Sequence, residues 1–229
     1  MPSVSFIVPF LNEEKNLLNI YNTIKELVLK KNIIDYEIIF IDDGSIDNSK
    51  KIISEKIIDN YKVISNLRNY GLGYSLKKGM ECATKEYLLW VPSDDEHDVN
   101  GLTPLFYNFG NYDLVIPHVI NTEIRPYWRR ALSFIFTIYI KIFFLTRIPY
   151  FNGLVLYKSL IVKKIIKDVN NFSFSFIPEV LLRSLTTTKN YKVVGYKIKK
   201  SANFNSSAFT FKNIFFTIFN ILKLRFTIF

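Results

Sequence analysis

Short apolar runs alternate along the first half of the chain with longer segments in which apolar residues recur every three or four positions. "VSFIVPF", almost wholly apolar, fits a strand buried on both faces. The following "NEEKNLLNIYNTIKELVL" places Leu17, Tyr21, Ile24 and Val28 on one face of a helix. "YEIIFIDD" predicts a second strand, and "SIDNSKKIISEKI" a helix with Ser45 or Asp47 as its cap. "YKVISNL", "EYLLWVPSDD" and "YDLVIPHV" predict three more strands, with "GYSLKKGMECAT" a helix before the second of these. This alternation predicts an α/β fold: an open, mostly parallel sheet flanked by helices, with ligands at the carboxyl ends of the strands.

That rule gives meaning to the polar residues that end the strands. "NEE", "DDGS" and "SDDEHD" each follow a strand directly, so all three are expected on one edge of one sheet. In the last of them Asp94, Asp95, Glu96 and Asp98 stand almost side by side. Carboxylates so close repel unless water solvates them or a cation neutralises them.

The pattern changes near Arg125. In "RRALSFIFTIYIKIFF" the polar residues Arg130, Ser133, Thr137 and Lys141 form one narrow helical stripe, and the C-terminal run repeats this with Asn213, Thr217, Asn220 and Thr227. Helices with so wide an apolar face are buried in a core or laid into a membrane interface, and the last helix is expected at a membrane. Lys141, Lys223 and Arg225 keep both runs short of the roughly 18 to 20 uninterrupted apolar residues that span a bilayer.

Charge follows the same division. Of 229 residues, positions 1–123 hold 12 Lys/Arg against 18 Asp/Glu, a net −6, whereas 124–229 hold 18 against 2, a net +16. A basic, aromatic-rich half without acids after Glu179 suits an anionic membrane surface or a nucleic acid. The acidic front half would repel phosphate chains, so no nucleic-acid partner is expected. No linker separates the halves, which predicts a ligand-binding core at 1–123 extended by 124–229 within one domain. The start of the chain lacks a signal-peptide pattern, so a cytoplasmic location, peripheral at the cytoplasmic face of a membrane, is expected. The single Cys82 excludes an internal disulfide and is expected as a buried small hydrophobe.

"SFIVPFLNEEKNL", "YEIIFIDDGSIDNS", "NLRNYGLGYSLKKGMECAT" and "EYLLWVPSDDEHD", in this order, resemble the family 2 glycosyltransferases, which use nucleotide sugars and have the GT-A fold. The resemblance covers about residues 3 to 120. The back half looks most like the subgroup typified by dolichyl-phosphate mannose synthase, which glycosylates polyprenyl phosphates. It implies an inverting, metal-dependent glycosyltransferase (hexosyltransferase) that moves a sugar from a UDP- or GDP-linked donor to a lipid phosphate. Pro9, Asn12 and Glu13 match positions lining the base and ribose. Asp42 matches the acid that hydrogen-bonds the base, and Asp43, Gly44 and Ser45 complete the turn beneath it. Asp94 falls on the second aspartate of the family's D-x-D motif, where Mg²⁺ or Mn²⁺, suited by hard oxygen ligands, would stabilise the diphosphate leaving group. Asp95 would join Asp94 in catalysis and on the metal, and Glu96 would reach the sugar. Arg125, Arg129 and Arg130 in "RPYWRR" resemble a phosphate-holding segment. Glu179 matches the family's acid at a helix start.

The chain also departs from the pattern. Pro92 stands where the first motif aspartate is expected, leaving the cation to Asp94, the diphosphate and water. Pro117, His118 and Val119 replace a Gly-Ser-Arg sequence that contacts the donor, so His118 substitutes there or the donor is not GDP-mannose. "FNGLVLYKS" resembles a strand and turn before the acceptor region. "KKSANFNSSAF" resembles a loop preceding membrane helices, with Lys199 and Lys200 near its missing arginine. "NLRNYGLGYS" lacks the third glycine of a dinucleotide fingerprint.

A lipid phosphate is already an anionic nucleophile and needs no base, whereas a sugar hydroxyl would need one, with Glu179 and Asp98 as candidates. Transfer to a glycan or polysaccharide hydroxyl is therefore the alternative. A non-catalytic membrane- or nucleic-acid-binding protein is the third reading, and a partner membrane subunit is compatible with the first.

Overall fold

The computed structural model describes residues 2–94, 97–199 and 211–228. Asp95, Glu96, Lys200 and the "SANFNSSAF" stretch lie outside the described residues. Seven strands form one sheet: β1 (Val4–Phe10), β2 (Tyr36–Asp42), β3 (Tyr61–Ser65), β4 (Tyr87–Trp90), β5 (Leu114–Val119), β6 (Leu156–Lys158) and β7 (Tyr191–Tyr196). Their order across the sheet is β3-β2-β1-β4-β6-β5-β7. All run parallel except β6, which is antiparallel to both of its neighbours. The open, mostly parallel sheet expected from the alternation, which the resemblance implies to be of GT-A type, is the one observed.

The central strands owe their place to continuous apolar runs. Every residue of β1 and β2 is buried, and Ile38, Ile39, Phe40 and Ile41 are fully so. Each such side chain contributes about 1.5–3 kcal/mol relative to exposure. Helices α1 (Leu17–Lys30), α2 (Ser49–Lys56) and α3 (Leu72–Cys82) connect the parallel strands, and α1 buries Leu17, Tyr21, Ile24 and Val28, the face that periodicity predicts. Gly79 lets α3 lie close to the sheet, since a Cβ there would come within 2.3 Å of Ile7 Cγ2. Cys82, at the end of α3, is exposed and not buried as expected, because Leu76, Gly79 and Met80 occupy the inner face.

After the short α4 (Val99–Leu102), residues beyond 124 complete the same sheet with β6 and β7. The predicted strands do not include β7; only its Tyr196 is buried, so "YKVVGY" carries little apolar signal. The remaining helices are α5 (Tyr127–Phe144), α6 (Ser159–Ile165), α7 (Phe176–Thr187) and α8 (Phe211–Ile228). On α5 the expected polar stripe is partly internal: Thr137 is buried and donates its hydroxyl to Ser133 O at 2.8 Å. Apart from Arg130, the exposed residues of this helix are aromatic or aliphatic, with Phe134 at 66% and Ile142 at 65%. Helix α8 packs on α5 and α7 through the buried Ile221 and Leu224 and exposes Phe215, Phe219 and Phe226. No helix among the described residues is long and apolar enough to cross a membrane.

Candidate functional site

Parallel alignment brings the carboxyl ends of β1, β2 and β4 to one edge. The β1–α1 and β2–α2 loops are joined there by side chains. Ser45 Oγ accepts Asn12 N–H at 3.0 Å, Asn12 Oδ1 accepts Ile46 N–H at 2.9 Å, and Ser49 Oγ accepts Glu13 N–H at 3.0 Å. Asp47 and Glu14 exchange further bonds with Glu14 N–H and Asn48. Asn12 and Ser45, assigned to the donor pocket by resemblance, thus hold its outer wall together and do not line the cleft.

The two aspartates after β2 have different surroundings. Asp42 is fully buried, accepts Ser45 N–H at 2.8 Å and lies 3.0 Å from Lys50 Nζ. Burial pushes its carboxyl upward, but bonds from Ser45 and Lys50 outweigh this and hold it below the usual carboxylate range. Asp43 lines the cleft and accepts Asn66 Nδ2 at 2.8 Å, Tyr70 N–H at 3.0 Å and Gly71 N–H at 2.8 Å. Gly44 makes this turn with a φ of 87°, and a Cβ on it would meet the Arg68 backbone at 2.7 Å.

One cleft of about 850 Å³ opens along this edge. Pro9, Glu13, Asp43 and Asp94 line its sheet end. Glu13 sits above the ordinary carboxylate range because burial and the charges of Asp94 and Asp47 outweigh a bond from Asn16. Glu13 and Asp94 are therefore close enough to repel. Among the described residues no three His, Cys, Asp or Glu side chains assemble a metal site by themselves. Asp95 and Glu96 lie outside the described residues.

Arg125, in the extended stretch just before α5, and Arg129, in the first turn of that helix, both line the cleft, while Arg130 is exposed and does not. His97, which the sequence reading passes over in favour of His118, also lines it. Its ring stacks on Tyr196 of β7 at 5.7 Å and 19°, and burial together with the charge of Arg125 pushes it down to about 4. His97 is thus neutral near pH 7. Its place within the acidic run, between Glu96 and Asp98, was the available signal. His118 and Glu179 do not line the cleft. Glu179 is buried in the first turn of α7 and paired with Arg183 Nε at 2.9 Å, and Asp98 accepts Gly101 N–H at 2.8 Å. Much of the remaining wall is apolar: Leu132, Phe136 and Tyr139 of α5, Ile177 of α7, Phe172, and Ile218 of α8.

Comparison with known proteins agrees with this geometry. Residues 5–165 match the family described as Glycosyl transferase family 2. A dolichyl-phosphate beta-glucosyltransferase of Dictyostelium discoideum is 27% identical over 157 residues, covering 60% of this chain and 48% of that protein. A prophage bactoprenol glucosyl transferase homolog of Escherichia coli is 29% identical over 119 residues, covering 51% of this chain and 34% of that protein. The matches thus span less than half the length of these relatives. Glucosyl-3-phosphoglycerate synthase of Mycobacterium tuberculosis, solved with Mn²⁺, UDP-glucose and phosphoglyceric acid, superposes with a TM-score of 0.72 at 14% identity, covering 98% of this chain and 80% of that one. The match over most of the chain, on a GT-A sheet whose strand ends open into this cleft, shows that the protein belongs to glycosyl transferase family 2.

Proposed function

We propose that the protein transfers a sugar from a UDP- or GDP-linked donor to a polyprenyl phosphate, with inversion, at the cytoplasmic surface of a membrane. One observation carries this reading: the same cleft is lined by carboxylates at the strand ends, by two arginines and by apolar residues of α5, α7 and α8. Residues 1–123 form the donor half and 124–229 the acceptor half. The names of the relatives, which act on dolichyl phosphate and bactoprenol, support the same acceptor class.

Asp43 and Glu13 border the nucleotide, with Asp43 holding the 69–71 turn against it. The mutual repulsion of Glu13 and Asp94 fits a cation held by Asp94 and the diphosphate, as the hard oxygen donors suggest. Mg²⁺ or Mn²⁺, when bound, would neutralise charge on the leaving group. Arg125 and Arg129 hold the acceptor phosphate, whose oxygen attacks the anomeric carbon as the bond to the nucleotide diphosphate breaks. A phosphate needs no base. The acids that a hydroxyl acceptor would require are otherwise engaged, Glu179 with Arg183 and Asp98 with Gly101. The exposed apolar faces of α5 and α8, on the half with a net charge of +16, suit contact with an anionic bilayer.

The test is transfer from labelled UDP- and GDP-sugars to undecaprenyl phosphate and to undecaprenol, each with Mn²⁺ or Mg²⁺. The reading expects an inverted glycosyl phospholipid from the phosphate alone. Transfer to glycan hydroxyls without any lipid product, or retention of anomeric configuration, overturns it.

A further inference from the structure

Residues 169–175 join the donor side of the cleft to its apolar arm. On the donor side Lys77 of α3 donates to Val169 O at 2.7 Å, and Gly73 lies so near this segment that a Cβ there would meet Phe172 O at 2.6 Å. Tyr74 adds an edge contact with the Phe172 ring at 5.4 Å. On the other side Asn220 of α8 donates to Asn171 Oδ1 at 3.3 Å and to Ser173 Oγ at 3.2 Å. These acceptors are themselves oriented: Ser173 N–H donates to Asn171 Oδ1 at 3.0 Å, Ser173 Oγ lies 2.8 Å from Ser175 Oγ, and Asn171 Nδ2 donates to Ser175 Oγ.

The buried side chains of α8 next to Asn220, Ile221 and Leu224, are apolar, and a backbone carbonyl, Ile218 O, meets the Tyr139 hydroxyl of α5. Apolar contacts alone tolerate sliding and rotation of a helix. A polar side chain with one set of partners does not, because a displaced helix leaves donor and acceptors unmatched. The register matters because Thr217 and Ile218 line the cleft, and Ile218 O accepts the Tyr139 hydroxyl at 3.0 Å.

We propose that Asn220 is a positioning residue: it sets the register of α8 from the segment that α3 holds on the donor side, and thereby shapes the apolar arm that receives the acceptor. Its kinetic consequence rests on the lipid-acceptor reading; the register itself does not.

The experiment compares Asn220→Leu with the unaltered chain by two readouts. Nitroxide labels on cysteines at positions 142 and 226, in a Cys82→Ser background, report the distance between α5 and α8 by pulsed electron paramagnetic resonance. One narrow distance is expected with Asn220, and a broadened or second population displaced by up to about 5.4 Å, one helical turn, with leucine. Kinetically, the variant is expected to raise KM for undecaprenyl phosphate about tenfold, with donor KM and Tm unchanged. Ser173→Ala added to it should cost nothing further. An unchanged narrow distance overturns the proposal, as does an equal loss toward donor and acceptor. If the unaltered enzyme does not use lipid phosphate, the lipid-acceptor reading falls and the distances alone decide the register. Should Asn220→Leu not fold, Ser173→Ala removes one acceptor without altering α8 and is read by the same distances.

Discussion

Asp43 Oδ2 accepts the Gly71 backbone N–H at 2.8 Å, tying the turn after β2 to the start of α3. The other oxygen takes Tyr70 N–H and Asn66 Nδ2. One carboxylate thus organises a cleft wall built from two loops. Asp43→Ala leaves these donors without their acceptor and is expected to lower unfolding free energy by roughly 2–4 kcal/mol. Urea denaturation measures this, and the thermal shift caused by UDP or GDP should vanish in the same variant.

Asp94 is exposed in the cleft, so its removal should cost little stability. Asp94→Asn is expected to unfold within about 0.5 kcal/mol of the unaltered protein. The Mn²⁺-dependent part of the nucleotide-induced rise in Tm should disappear, since ligand binding stabilises only through the native state. A metal-dependent shift of undiminished size would remove Asp94 from the cation site.

Arg129 lines the cleft, and its neighbour Arg130 is exposed outside it. Arg129→Gln is expected to raise KM for the lipid phosphate about tenfold with donor KM unchanged. Arg130→Gln should leave both constants alone and only weaken partitioning onto anionic vesicles, measured by flotation at increasing salt.

Glu37, buried at the opposite edge of the sheet, accepts Ser5 Oγ, Thr84 N–H and the Thr84 hydroxyl, each at 2.7 Å, and pairs with Lys62 at 2.7 Å. Burial pushes its carboxyl up, but Lys62, Thr84 and Ser5 together hold it down to about 2, against an ordinary 4.5. Because the folded value is depressed, the stabilisation is fully present above pH 4.5 and is lost as pH falls toward 2. Glu37→Gln is expected to remove roughly 2 kcal/mol near neutral pH and to flatten stability between pH 4.5 and 2. Chemical denaturation across that range is the check.

The amino-acid sequence by itself determined the alternation of apolar runs and helical faces, and with it the parallel sheet and the shared edge of the three strand-end motifs. Charge asymmetry and the breadth of the apolar faces on α5 and α8 were equally legible, being sums over local composition. The strand-end rule places a residue along an edge, however, and does not say which way its side chain turns. Asp43 therefore meets the cleft while Asp42 is spent on Ser45 and Lys50, and Arg129 enters it where Arg130 does not. His97 became part of the site only because β7, far away in the sequence, brings Tyr196 against its ring. The lining of the cleft was decided by tertiary structure, because contacts between distant segments, which no local pattern encodes, choose among the orientations that the backbone allows.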